Sequence, residues 1–309
     1  MADRASTLGR AARIRDLPPH GYFVVSALFH YLGPALAVLL FRRVDVLGVA
    51  WLRIVSAALV FAAWRRPWRA LPRLDRDSRL TLLAWGGVLA VMNCCFYLAI
   101  ARLPLGTVAA IEFVPVIALA AAGARTARNV LALSLAAPGV YLLTHVQVVD
   151  APLGVALAAA NAALFALYIV LGHRVARRSP ARGVSAIDGL ATSMLVAAVL
   201  VTPIAGRMAA PAFLDPVALA AGAAVGVTSS VIPYVTDQLA MARLSRATYA
   251  LMVSLLPATA TVIGIVVLAQ VPSWVEVLGV ALVIAGVAVH REPPGETVEE
   301  ALDPEAVAA

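Results

Sequence analysis

The stretch Ala99-Ile-Ala-Arg-Leu-Pro-Leu-Gly-Thr-Val-Ala109 (AIARLPLGTVA) returns as Ala240-Met-Ala-Arg-Leu-Ser-Arg-Ala-Thr-Tyr-Ala250 (AMARLSRATYA). Six of the eleven positions are identical at one fixed offset, Ala99 answering to Ala240. A corner that recurs about half a chain away marks an internal repeat. What such a repeat does depends on the solvent around it.

Composition sets that solvent. Hydrophobic residues make up 62% of the chain and charged residues 13%, and the mean hydropathy is +0.91, far from the average of soluble globules. A spanning helix needs about 20 apolar residues. Ten such runs are separated by short breaks bearing Arg, Pro or Gly, at approximately 21–41, 46–64, 80–101, 104–122, 129–147, 152–172, 186–205, 216–241, 247–268 and 273–290. Their length excludes spanning strands, which would alternate in polarity over about ten residues. The sequence therefore predicts an all-α polytopic membrane protein of ten transmembrane helices.

The repeat gives these helices an order. Position 102 follows the third run and position 243 the eighth, so five helices separate the two corners, and an odd number inverts orientation. The expectation is two inverted five-helix repeats, 21–147 and 152–290, related by an axis in the membrane plane, an architecture suited to alternating access. Residues 1–20 read as a cytoplasmic N-terminal tail leading into an uncleaved anchor. Residues 291–309, acidic and carrying Pro293-Pro294-Gly295, read as a disordered cytoplasmic tail.

A net charge of +7 could point to nucleic acid, but the placement of the charge excludes it. All 24 basic residues are arginine. With the N-terminus inside, 19 fall in cytoplasmic segments and four (Arg42, Arg43, Arg102 and Arg207) in outer loops, leaving Arg53 within a span. The positive-inside rule accounts for this split and places both termini in the cytoplasm. Cys94 and Cys95 are adjacent, without the spacing of a metal or redox pair, and read as small buried hydrophobes. The chain has no His-Glu-x-x-His, no phosphate-binding loop and no Gly-x-Ser-x-Gly, so neither an enzyme nor ATP as energy source is expected, and no cofactor or metal; an intramembrane enzyme or a membrane assembly protein is the alternative to a transporter.

Charged residues inside spans are costly and ask for a purpose. Arg53 sits seven residues into the second run, about 10 Å deep at 1.5 Å per residue. Its planar fork suits a substrate carboxylate; an ion pair with Glu112, or a cap on carbonyls of a broken helix, would also account for it. Glu112 lies mid-way along the fourth run, where a carboxyl is held neutral cheaply and charged expensively, as a proton carrier requires. A permanent salt bridge is the alternative. Asp237 is a second acid for proton coupling, or a surface group that snorkels. Asn93 and Tyr97 share a helix face at i, i+4, and Tyr234 and Gln238 are their mates at the offset of the repeated corner, so the repeat supplies two related polar pairs. Each member could instead bond a neighbouring helix. Tyr31 joins the substrate-binding candidates, with His30, Asn161 and Tyr168 as further polar positions. Pro34, Pro115, Pro138, Pro203, Pro233 and Pro257 punctuate the spans and make discontinuous helices an expectation.

Leu52-Arg53, Arg66-Pro67-Trp68-Arg69, Met92-Asn93 with Phe96-Tyr97-Leu98-Ala99-Ile100, Leu103-Pro104-Leu105-Gly106, Glu112-Phe113 and Pro233-Tyr234 resemble the EamA branch of the drug/metabolite transporter superfamily, and within it the bacterial threonine/homoserine exporters. The resemblance runs from about Tyr22 to Val289. It implies ten helices in a bacterial inner membrane and export of amino acids or related metabolites, driven by protons. The implied partners are a small-molecule substrate, protons and the bilayer. Three positions depart from that pattern: Leu256-Pro257 replaces Glu-Pro, Ala269-Gln270 replaces Gly-Glu, and Val38 stands where a Lys is common.

Overall fold

The computed structural model describes residues 19–69, 72, 74–123, 126–178, 185–241 and 256–289. Every regular element among them is helical. In chain order these are α1 (Pro19–Leu40), α2 (Val46–Arg65), α3 (Arg76–Ile100), α4 (Leu105–Gly123), α5 (Ala127–Asp150), α6 (Pro152–Arg178), α7 (Ala186–Met208), α8 (Pro216–Gly226), α9 (Ile232–Met241), α10 (Leu256–Leu268) and α11 (Trp274–Val289). A π-turn, Val227–Val231, joins α8 to α9 without a break in the rod. Among the described residues six helices are long and apolar enough to cross a membrane, counting α8 to α9 as one, and four shorter apolar helices accompany them. The second copy of the repeated corner, beyond Met241, lies outside the described residues.

Capping explains where several helices begin. Asp45 accepts from the Leu47 N–H ahead of α2, and Asp75 from the Ser78 N–H, which starts α3 at Arg76, earlier than its apolar run. Ser185 and Asp188 form a reciprocal capping box at α7. Asp215 accepts from the Val217 and Ala218 N–H groups, with Pro216 at the first turn of α8. Contrary to expectation, Pro34, Pro115, Pro138 and Pro203 lie inside continuous helices. Among the described residues the one interruption within a span precedes Pro233.

The principal helix contacts are reciprocal. Helix α3 packs on α6 and α7, while the α8–α9 rod packs on α1 and α2; α4 packs on α6, while α10 packs on α1. Helices α2 and α7, α4 and α10, and α5 and α11 pair directly. Small residues let the backbones approach, as membrane bundles require. A Cβ on Gly139 would lie 2.7 Å from the Gly279 carbonyl oxygen, and one on Gly279 2.9 Å from that of Gly139, so α5 and α11 meet glycine on glycine. Large apolar side chains face outward; Val266 is 76% exposed, and Val199 and Ile204 are similar. In water that surface would be a liability, whereas lipid covers it without cost.

Ion pairs stand at both ends of the α2–α7 region. Arg65 donates from Nε to Asp188 Oδ1 at 2.9 Å and from Nη2 to Ser185 Oγ at 3.1 Å, joining the end of α2 to the start of α7. Arg43, before α2, donates to Asp215 Oδ2 at 2.9 Å. The Ala218 N–H and the Arg43 guanidinium hold the Asp215 carboxyl below the usual carboxylate range. Cys94 and Cys95 are free and half-buried rather than fully enclosed.

Candidate functional site

Polar side chains from six helices converge on one cavity. Helix α1 contributes His30 and Pro34, α2 Arg53, α3 Met92, Asn93 and Phe96, α4 Glu112, α6 Asn161 and Phe165, and α9 Tyr234. Its volume is about 40 Å³, room for a few waters by the roughly 10–15 Å³ that each occupies on this measure. Arg53 and Glu112 are each 7% exposed, so both charges belong to the interior of the bundle.

The two do not pair. Among the described residues the ion pairs are those of Arg43 and Arg65, and each group in the cavity has other partners. Arg53 donates from Nε to Ser230 Oγ at 3.1 Å and from Nη2 to the Ser229 carbonyl oxygen at 3.2 Å. Its guanidinium carbon stands 5.3 Å from the centre of the Tyr97 ring, a cation–π contact. Of the alternatives left open by the sequence, the contact observed is nearest the cap on helix carbonyls, made to one carbonyl and one hydroxyl at the π-turn of an unbroken rod. Glu112 accepts from Asn161 Nδ2 at 3.0 Å, and Asn161 Oδ1 has no hydrogen-bond partner among the described residues.

The remaining candidates separate into those on the wall and those behind it. Asn93 lies on the wall, but its Nδ2 donates to the Leu89 carbonyl of its own helix at 2.7 Å. Tyr97 lies against Arg53, fully buried. Tyr31 is fully buried, its ring edge-on to His30 at 5.1 Å; His30, rather than Tyr31, reaches the cavity. Tyr168 stacks on Phe165 and meets Trp85, outside the wall. Tyr234 is on the wall. Asp237 and Gln238 are one turn further along α9, and their side chains lie outside the described residues. Sequence reasoning missed Ser229 and Ser230. Their sign in the sequence is Ser229-Ser230-Val-Ile-Pro233: a serine four residues before a proline, within an apolar span.

Ala269, Gln270 and Val38 stand at positions that depart from the resembled pattern. Ala269 adopts φ 54°, a left-handed conformation that favours glycine, and its N–H donates to the Ile265 carbonyl to close α10. Gln270 Oε1 accepts from the Leu105 N–H at 3.0 Å and thereby caps α4. Val38 is half-buried against an apolar core that draws on both halves of the chain.

Lipid-facing helices around a small polar cavity with one cation and one acid define a multi-pass helical membrane protein with an interior site. Residues 152–290 match the EamA-like transporter family. The threonine/homoserine exporter RhtA of Salmonella typhimurium strain SL1344 is 32% identical over 274 residues, covering 84% of this chain and 88% of that protein. The exporter of the same name from Escherichia coli strain K12 is 32% identical over 261 residues, covering 82% and 84%. One solved crystal structure, 20% identical, superposes with a TM-score of 0.55 over 87% of this chain and 96% of that chain, a likeness of fold. The chain belongs to the EamA-like transporter family.

Proposed function

We propose that this chain exports small amino acids of the threonine or homoserine kind from a bacterial cell across the inner membrane, by alternating access and coupled to protons. The observation that carries the reading is a buried guanidinium on the cavity wall, unpaired with the buried carboxyl on the same wall. Arg53 offers its remaining N–H groups to the substrate carboxylate, and Glu112 gains and loses the coupled proton, with Asp237 as the second acid. Asn93, Tyr97, Tyr234 and Gln238 flank the substrate. The names of the two relatives support the substrate class.

Two five-helix repeats, 21–147 and 152–290, supply the conformational change in this reading. Support comes from the packing: exchanging α1–α5 with α6–α11 carries the helix pairs named above into one another. Such a molecule can open to either side by exchanging the conformations of its halves. A cavity of about 40 Å³ must widen to admit an amino acid, which the exchange provides.

The test is substrate discrimination in Arg53→Lys. Lysine keeps the charge and loses the fork, so cells preloaded with labelled homoserine should release it with a KM raised about tenfold, one charge-assisted hydrogen bond's worth. An analogue with an uncharged ester in place of the carboxylate should be released as before. Equal loss for both compounds contradicts the assignment of Arg53 to the carboxylate.

A further inference from the structure

Helix α3 and the rod of α8, π-turn and α9 are counterparts by order, and their landmarks correspond in two registers. The N-caps Asp75 and Asp215 set the first register. Gly86 and Gly226 keep the same spacing, and so do their neighbours: a Cβ on Gly86 would lie 2.7 Å from the Ser193 carbonyl oxygen, and one on Gly226 2.7 Å from that of Arg53. Later landmarks, Asn93 with Tyr234 and Arg102 with Arg243, are spaced one position wider. Between Gly226 and Tyr234 the second half has therefore gained a single residue. The π-turn Val227–Val231 occupies that interval, with the Ile232 N–H donating to the Val227 carbonyl five residues back. A π-turn is how an α-helix absorbs a single insertion.

We infer that this inserted residue builds the seat of Arg53, making Ser229 and Ser230 positioning residues for the carboxylate-binding fork. The inference rests on the proposed role of Arg53. Pro233 has no N–H and its ring crowds the carbonyl four residues earlier, which is that of Ser229. The released oxygen accepts from Arg53 Nη2, and the adjacent Ser230 hydroxyl accepts from Nε. On the far side α1 presses on the turn at Gly33, where a Cβ would lie 2.8 Å from the Ser229 nitrogen. The two contacts use the Nε edge of the guanidinium, so the end formed by Nη1 and the second N–H of Nη2 is the fork offered to a ligand. A fork held in advance loses less freedom on binding.

The other half lacks this device. Ser193 is the counterpart of Arg53 in the first register, and its hydroxyl donates to the Leu82 carbonyl of uninterrupted α3 at 3.2 Å. Met92 takes the place of Pro233. A strictly symmetric pair of halves would offer an amino acid two equivalent orientations. Here only one half carries the cation, Arg53 against Ser193, and the inserted residue holds that cation in place on the α2 side.

Transport kinetics in proteoliposomes test this, with labelled homoserine and its uncharged methyl ester as probes. Ser230→Ala should raise KM for homoserine about tenfold, the scale of a lost hydrogen bond to a charged group. It should leave the maximal rate and the ester's KM unchanged. Ser230→Thr keeps the hydroxyl and should restore KM. In the background of Arg53→Lys, Ser230→Ala should add nothing, because the seat has lost its occupant. Should Ser230→Ala not insert, Ser230→Cys carries the same readout with closer volume. A KM rise shared by homoserine and the ester, or effects of the two substitutions that multiply, overturns the seat. If Arg53→Lys raises KM selectively while Ser230→Ala is silent, the seat fails and the reading of Arg53 stands. If Arg53→Lys itself shows no selectivity, the proposed function fails at its cation.

Discussion

Glu112 shares the cavity wall with Arg53 yet is bonded to Asn161, so the bundle holds a carboxyl and a guanidinium without neutralising either by an ion pair. A permanent salt bridge would leave no proton to exchange and no fork to offer. Glu112→Gln keeps the shape and the hydrogen-bonding capacity and removes titration. Exchange of substrate down its gradient should continue in that variant, while accumulation driven by a pH gradient should vanish. If instead Glu112→Gln still accumulates substrate and Asp237→Asn does not, the proton belongs to Asp237. Arg53, Glu112, Asn93 and Tyr234 were legible in the sequence because each is a polar group in an apolar run, where its cost requires a reason. Ser229 and Ser230 were not, since a serine costs little in a membrane helix and theirs is a role conferred by Pro233 and by the register of the second half. That Glu112 bonds to Asn161, far along the chain, depends on how α4 meets α6, which no local pattern encodes.

Helix starts and ends were legible where a cap or a long apolar run marks them, and illegible where a backbone conformation decides. Asp75 moves the start of α3 back to Arg76, and the run 216–241 is interrupted by a π-turn that hydropathy does not register. Ala269 is the clearest case of backbone conformation outweighing side-chain type. At φ 54° its Cβ costs about 1–2 kcal/mol, and glycine gives back about 0.5–1 kcal/mol through unfolded-state entropy. Ala269→Gly should therefore stabilise the protein by up to about 1.5 kcal/mol, read as a higher melting temperature in detergent. A lowered melting temperature would show that the Ala269 methyl group packs to advantage. Transport should not change, because Gln270, which caps α4, stays in place.

The arginine distribution and the exchange of helix neighbours describe one molecule seen from its charge and from its packing. With both termini inside, single cysteines near Asp150 and Trp274, introduced into a background lacking Cys94 and Cys95, should react with an impermeant thiol reagent from outside. Cysteines near Arg76 and Arg182 should not. The reverse pattern would overturn the assignment of faces. The helical class was legible because lipid leaves few alternatives. The pairing of α2 with α7 and of α5 with α11 was not, since it depends on glycine contacts between distant segments. The most direct measurement is exchange in liposomes containing the purified chain and a broad panel of labelled amino acids and metabolites. Threonine or homoserine should exchange saturably, move uphill when an opposing pH gradient is imposed, and emerge chemically unchanged. Folded protein that moves none of the panel, or that converts a compound without moving it, contradicts the account.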